Sequence, residues 1–103
     1  MKVYNKLVRD KTPDILSEEG KKYKAHYATK QEYEEKLKEK LLEEVNEFIE
    51  NPCMEELADI FEVFNAVVDM MGYKHEDLIE CLKTKFDEKG AFDEKIVLEF
   101  VEE

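Results

Sequence analysis

From Tyr33 to Met71 the apolar positions recur at helical spacing in two runs, joined at Glu50-Asn51-Pro52. At about 100° per residue, with Leu41 as zero, Tyr33, Leu37, Phe48, Leu41, Val45, Ile49 and Leu42 fill one arc from about −80° to about +100°. Glu44 falls inside that arc at about −60°. Glu47 and Lys40 stand just past its edge at about −120° and −100°, while Glu43 points to the opposite face at about 200° and is expected to be solvated. With Ile60 as zero, Met70, Val63, Val67, Cys53, Met71, Phe64, Leu57, Val68 and Phe61 fill a second arc of the same width. Glu56 falls inside it at about −40° and Asp59 at its rim at about −100°, whereas Glu55, Glu62 and Asp69 point away.

Each run therefore sets one carboxylate into its apolar face and another, three residues on, at the rim. Counted from Asn51, the two pairs lie about six residues away on either side, roughly 9 Å at 1.5 Å per residue. An antiparallel hairpin makes them face each other, and the link is too short for any other arrangement. Four carboxylates converging on a partly buried spot repel one another and are poorly hydrated, so their pKa values should rise unless a cation neutralises them. All-oxygen ligands suit hard divalent ions, Mg²⁺ first and Mn²⁺ next, with positions left for water and phosphate oxygens.

Local signals place the elements. Thr12-Pro13 reads as a helix start with Thr as the cap and Pro at the first helical position, and Gly20 ends that helix after about two turns. Residues 21–28 have no clear period. Thr29-Lys30-Gln31-Glu32 is a capping box that launches the first long helix, to about Glu50. Asn51-Pro52 repeats the cap and first-position proline logic for the second, which Gly72 ends after Met71. His75 to Glu88 is a third main helix with Leu78, Ile79, Leu82 and Phe86 inward and Lys83, Lys85 and Lys89 near its C-terminus, where cations suit the helix dipole. Ile96 to Val101 reads as a short extended tail that could pack against Val3 to Val8. The fold class is thus all-α: an antiparallel hairpin core with a third main helix and short extended termini, completing a four-helix bundle on oligomerisation. The second helix is apolar over about half its circumference, wider than one partner covers, which points to a partner subunit.

Glu43-Glu44-Val45-Asn46-Glu47 followed by Glu56-Leu57-Ala58-Asp59 resembles the EExxE and ExxD motif pair of the MazG-like all-α nucleotide pyrophosphohydrolases. Tyr4-Asn5-Lys6-Leu7-Val8-Arg9-Asp10-Lys11 is similar to the opening of small single-domain relatives, and Lys85-Phe86-Asp87-Glu88-Lys89 to a KFxxR-type element. Lys89 stands where arginine is common, and Gly90-Ala91-Phe92 where some relatives have two glycines. The resemblance implies one domain over residues 1–103 that cleaves a nucleoside triphosphate to a monophosphate and pyrophosphate, with nucleotide-pool house-cleaning as its role. It implies Glu44, Glu47, Glu56 and Asp59 as catalytic, metal-holding carboxylates, and Lys6, Arg9, Lys11, Lys85 and Lys89 as partners of the substrate's phosphates. It also implies a homodimer or homotetramer. A phosphoribosyl-ATP pyrophosphohydrolase is the alternative among enzymes, and a non-catalytic acidic helical interaction module the alternative outside them.

Composition narrows the classes further. The net charge is −11 in 103 residues, which argues against a nucleic-acid or anionic-membrane surface because such binding needs clustered positive charge. The cations of residues 1–11 are the exception, and they suit a phosphate tail. No apolar run has the length of a transmembrane helix and no signal-peptide core is recognisable, so the expected location is cytoplasmic. Cys53 and Cys81 lack metal-ligand spacing and read as reduced thiols, the first a buried small hydrophobe. His26 and His75 have no ligand partners at useful spacing.

Overall fold

The structure, a computed structural model, describes residues 1–102. Every regular element among them is an α-helix: α1 (Thr12–Glu18), α2 (Lys30–Glu50), α3 (Met54–Met70) and α4 (His75–Lys89). The chain divides into two compact units, Met1–Met71 and the remainder from Gly72. No helix among the described residues is long and apolar enough to cross a membrane.

The first unit is built on the antiparallel packing of α2 against α3. Thr29 caps α2 as the sequence leads one to expect, its hydroxyl accepting the Glu32 N–H at 3.2 Å. The reciprocal half of the box is not made. The Glu32 carboxylate turns instead to the His26 Nε2, 2.9 Å away.

Two helix starts differ from their sequence signals. Residue Asn51 does not cap α3, because its own N–H still donates to the Glu47 carbonyl at 2.9 Å and so closes the last turn of α2. The extended backbone needed before a helix falls two residues later, on Cys53, and α3 begins at Met54 without a side-chain cap. Its first-turn acids, Glu55 and Glu56, lie where the helix dipole favours negative charge. Likewise α1 takes Lys11 as its N-cap residue, with Thr12 already helical, because a turn from the Arg9 carbonyl to the Thr12 N–H begins the winding one residue early. At the other end of α3, Gly72 adopts φ 74°, the left-handed step that lets the chain leave the helix without a Cβ clash.

The core is narrow. Leu37 (2% exposed), Val63 and Val68 are its buried apolar side chains, and Glu44, at 6%, is the polar residue buried with them. The other apolar positions of the two arcs divide: Leu41, Val45, Phe48, Ile60 and Val67 are half-buried, whereas Leu42, Ile49, Leu57, Phe61 and Phe64 are exposed. Two helices in contact bury one stripe each, so a half-circumference of apolar residues exceeds what the partner covers. The Phe61 and Phe64 rings, 6.5 Å apart between centroids, keep each other company on that exposed flank.

In the second unit α4 carries Ile79, Leu82 and Phe86 exposed, against the expectation that they point inward, and Leu78 half-buried. The helix stops at Gly90, φ 77°. Residues 96–101 form no strand, and Ile96, Val97, Leu98, Phe100 and Val101 are exposed. The expected buried thiol at Cys53 is half-buried, and Cys81 is exposed.

A core this small makes its central side chain expensive to truncate. Leu37→Ala should lower the unfolding free energy by about 2–5 kcal/mol, while Leu42→Ala, at an exposed position of the same arc, should change it by no more than about 0.5 kcal/mol; chemical denaturation of both variants measures the contrast.

Candidate metal centre

Helix periodicity alone carries Glu44 into the seam between α2 and α3, three residues before Glu47 and about two turns beyond Leu37. On α3 the same logic brings Glu56 and Asp59 to the facing surface, both half-buried. Two overlapping groups result. Carboxylate oxygens of Glu44, Glu56 and Asp59 lie within 4.8 Å of one another, and so do oxygens of Glu43, Glu44 and Glu47. Glu44 belongs to both.

Of the four carboxylates expected from sequence, Glu44, Glu56 and Asp59 are thus brought together across the two helices, while Glu47 meets Glu44 in a second group that also takes in Glu43. Glu43 is only partly solvated: its side chain is 28% exposed and paired with two lysines. The Lys6 Nζ donates to its Oε1 at 2.8 Å, and the Lys40 Nζ stands 3.6 Å from its Oε2. The wheel is right about the face on which Glu43 lies. What it omits is the N-terminal segment, which covers that face.

Three cations serve this site. Lys40, one turn before Glu43 and Glu44 on the same helix, also reaches the Glu44 Oε1 at 3.3 Å. That lysine was legible from its i,i+3 and i,i+4 spacing. Arg9 donates through one guanidinium nitrogen to Asp59 Oδ1 at 2.7 Å. Lys6 and Arg9 come from 37 and 50 residues away in sequence, a pairing no local pattern announces. Of the other expected phosphate partners, Lys11 is the N-cap residue of α1 and makes no ion pair among the described residues, and Lys85 and Lys89 stand on α4 in the second unit.

Charge is unevenly satisfied within the cluster. Burial pushes the Glu44 carboxyl above its ordinary pKa, and the neighbouring Glu47 adds to the effect, with Lys40 opposing it. Glu43 shifts the other way, held down chiefly by its hydrogen bond from Lys6. Lys6 is raised correspondingly by the same bond. Two oxygens remain without any partner although both are buried: Glu44 Oε2 and Glu56 Oε2, one from each helix. Leaving a buried charged acceptor unpaired is costly.

This donor set fits a hard divalent cation. All candidate ligands are carboxylate oxygens, the donor type that Mg²⁺ and Mn²⁺ take, and those of Glu44, Glu56 and Asp59 would hold the ion between the helices. A cation held by Glu44 and Glu56 would offset the burial and the Glu47 interaction that raise Glu44.

No protein-family model, no curated protein and no solved structure matches this chain.

The elevated Glu44 pKa has a defined consequence for stability. Because the folded state holds this proton more tightly than the unfolded chain, stability falls as pH rises through the window between the ordinary carboxylate pKa and the elevated one. Glu44→Gln removes that slope, so the variant should gain on the parent in thermal midpoint from acidic to neutral pH. Added Mg²⁺ should raise the midpoint of the parent at neutral pH and leave that of Glu44→Gln nearly unchanged.

Proposed function

We propose that the protein is a divalent-metal-dependent nucleoside triphosphate pyrophosphohydrolase. The observation that carries this reading is the paired burial of unpartnered carboxylate oxygens, Glu44 Oε2 on α2 and Glu56 Oε2 on α3, at the centre of a five-carboxylate cluster. The resemblance of those residues to the EExxE and ExxD pair adds the substrate class and the reaction.

In this reading Glu44, Glu47, Glu56 and Asp59 hold the cation, Mg²⁺ or Mn²⁺, with Glu43 beside them. The bound ion supplies charge neutralisation of the phosphates and a lowered pKa for the attacking water. A carboxylate of the cluster not engaged as a ligand accepts the proton from that water. The water oxygen bonds to the α-phosphorus, the α–β bridging oxygen departs with pyrophosphate, and a nucleoside monophosphate remains. Arg9 and Lys6, already at the rim of the cluster, are placed to balance negative charge on the leaving pyrophosphate. Lys11, Lys85 and Lys89 are assigned the same task by resemblance alone.

The exposed apolar flank of α3 supports the second part of the proposal, assembly into a homodimer or homotetramer in which hairpins from neighbouring subunits complete a four-helix bundle. Phe61, Phe64 and Leu57 on α3, with Leu42 and Ile49 on α2, are the side chains such a bundle would cover.

Two measurements test these statements. A panel of standard and modified nucleoside triphosphates, with phosphoribosyl-ATP included, should release pyrophosphate rather than orthophosphate in the presence of Mg²⁺. Glu56→Ala should lower kcat by about 10²-fold or more; an unchanged rate across the panel overturns the catalytic reading. In sedimentation the chain should run as a multiple of 12.3 kDa, and Phe61→Asp should shift it toward the monomer.

A further inference from the structure

The N-terminal segment does more than border the carboxylates; it ties the hairpin together across them. Lys6 is bonded to Glu43 on α2 at 2.8 Å and Arg9 to Asp59 on α3 at 2.7 Å, so four consecutive residues bridge the two helices at the mouth of the cluster. The segment is shaped for this. Asn5 takes the left-handed conformation, φ 47°, immediately before Lys6. The Tyr4 ring lies 5.6 Å from the Lys6 ammonium, against its outer side, and Leu7 between the two cations is half-buried. Both ion pairs are accessible to solvent, with the Arg9 and Lys6 side chains 60% and 40% exposed. Contacts of that kind are individually weak and exchange readily.

Charge arithmetic gives the strap its role. Five carboxylates face three cations, Lys6, Arg9 and Lys40, which leaves Glu47 and Glu56 outside any ion pair among the described residues, and the buried oxygens Glu44 Oε2 and Glu56 Oε2 have no hydrogen-bond partner. Asp59 and Glu43 each belong to one of the carboxylate groups and are at the same time the residues that the strap engages. We propose that Lys6 and Arg9 are exchangeable counter-ions that compete with the divalent cation for Glu43 and Asp59 and are handed to the substrate's phosphate tail when it arrives. This rests on the metal-centre reading above and assigns its regulation: the strap holds affinity for the free ion down, and the metal–nucleotide complex, which brings its own anions for Lys6 and Arg9, binds without that competition. An enzyme so built is loaded by the metal complex of its substrate in preference to the bare ion.

The test is equilibrium binding of Mn²⁺ alone, read by the loss of the free-ion electron paramagnetic resonance signal, on the full chain. Lys6→Met and Arg9→Met should each tighten Mn²⁺ binding, by about two- to fivefold per charge removed. Lys2→Met, which removes the same charge from a residue whose ammonium lies 5.0 Å from the Tyr4 ring and makes no ion pair among the described residues, should leave it unchanged. With a non-hydrolysable nucleotide present the order should invert, the two strap variants taking up the metal–nucleotide complex more weakly than the parent. Equal Mn²⁺ affinity in parent and strap variants, or equal tightening by Lys2→Met, overturns the strap while leaving the metal centre in place. Absence of Mn²⁺ binding in the parent overturns both. Circular dichroism at 222 nm confirms that each variant is folded, and Lys6→Arg, which keeps the charge, should restore parental affinity.

Discussion

The constraint on which this molecule turns is the burial of one carboxylate. Glu44 sits in the seam of a helical hairpin with 6% of its surface exposed, and only one of its two oxygens has a cationic partner. A charge in that position must be neutralised, protonated or coordinated, because the surroundings cannot hydrate it. Each neighbouring feature answers that demand in part: Lys40 from the same helix, the strap from the N-terminus, the opposing acids of α3 that turn a liability into a cluster of ligands. Sites that destabilise the protein around them are where binding energy from a ligand is most useful.

The same hairpin has little else to spend on stability. Its buried apolar side chains are Leu37, Val63 and Val68, and much of the rest of each apolar arc lies at the surface. A two-helix seam is geometrically limited to one stripe from each partner, so a wider stripe is evidence of further packing. Placing an acidic cluster within so thin a core couples the site to the fold closely. Changes in the protonation of Glu44 act on the buried layer of the first unit, so the titration of that carboxyl and the stability of the fold are linked.

Where local rules failed, they failed by omitting competition. Asn51 followed by proline has the chemistry of an N-cap, yet its N–H is already bonded to Glu47, and α2 keeps it. Glu32 has the spacing to complete a capping box, yet His26 offers it a partner 2.9 Å away and takes the carboxylate. Glu43 lies on the polar side of its helix, where water is the default neighbour, and the strap displaces that water. In each case the residue's preference was read correctly and a second claimant decided the outcome, close in sequence for Asn51 and Glu32 and 37 residues away for Glu43.

Periodicity along the chain determined that this protein is helical, that two long helices form a tight hairpin, and that Glu44 meets Glu56 and Asp59 across it. Those are consequences of 3.6 residues per turn and of a linker too short to do anything but reverse direction. Only the tertiary structure decided that Glu43 joins the cluster, that Lys6 and Arg9 span it, which oxygens remain unpartnered, and that Phe61 and Leu42 stay at the surface while Leu37 and Val68 do not. The physical reason is reach: a helix's own geometry reports on neighbours three and four residues away, whereas ion pairs across 37 and 50 residues depend on the path the whole chain takes.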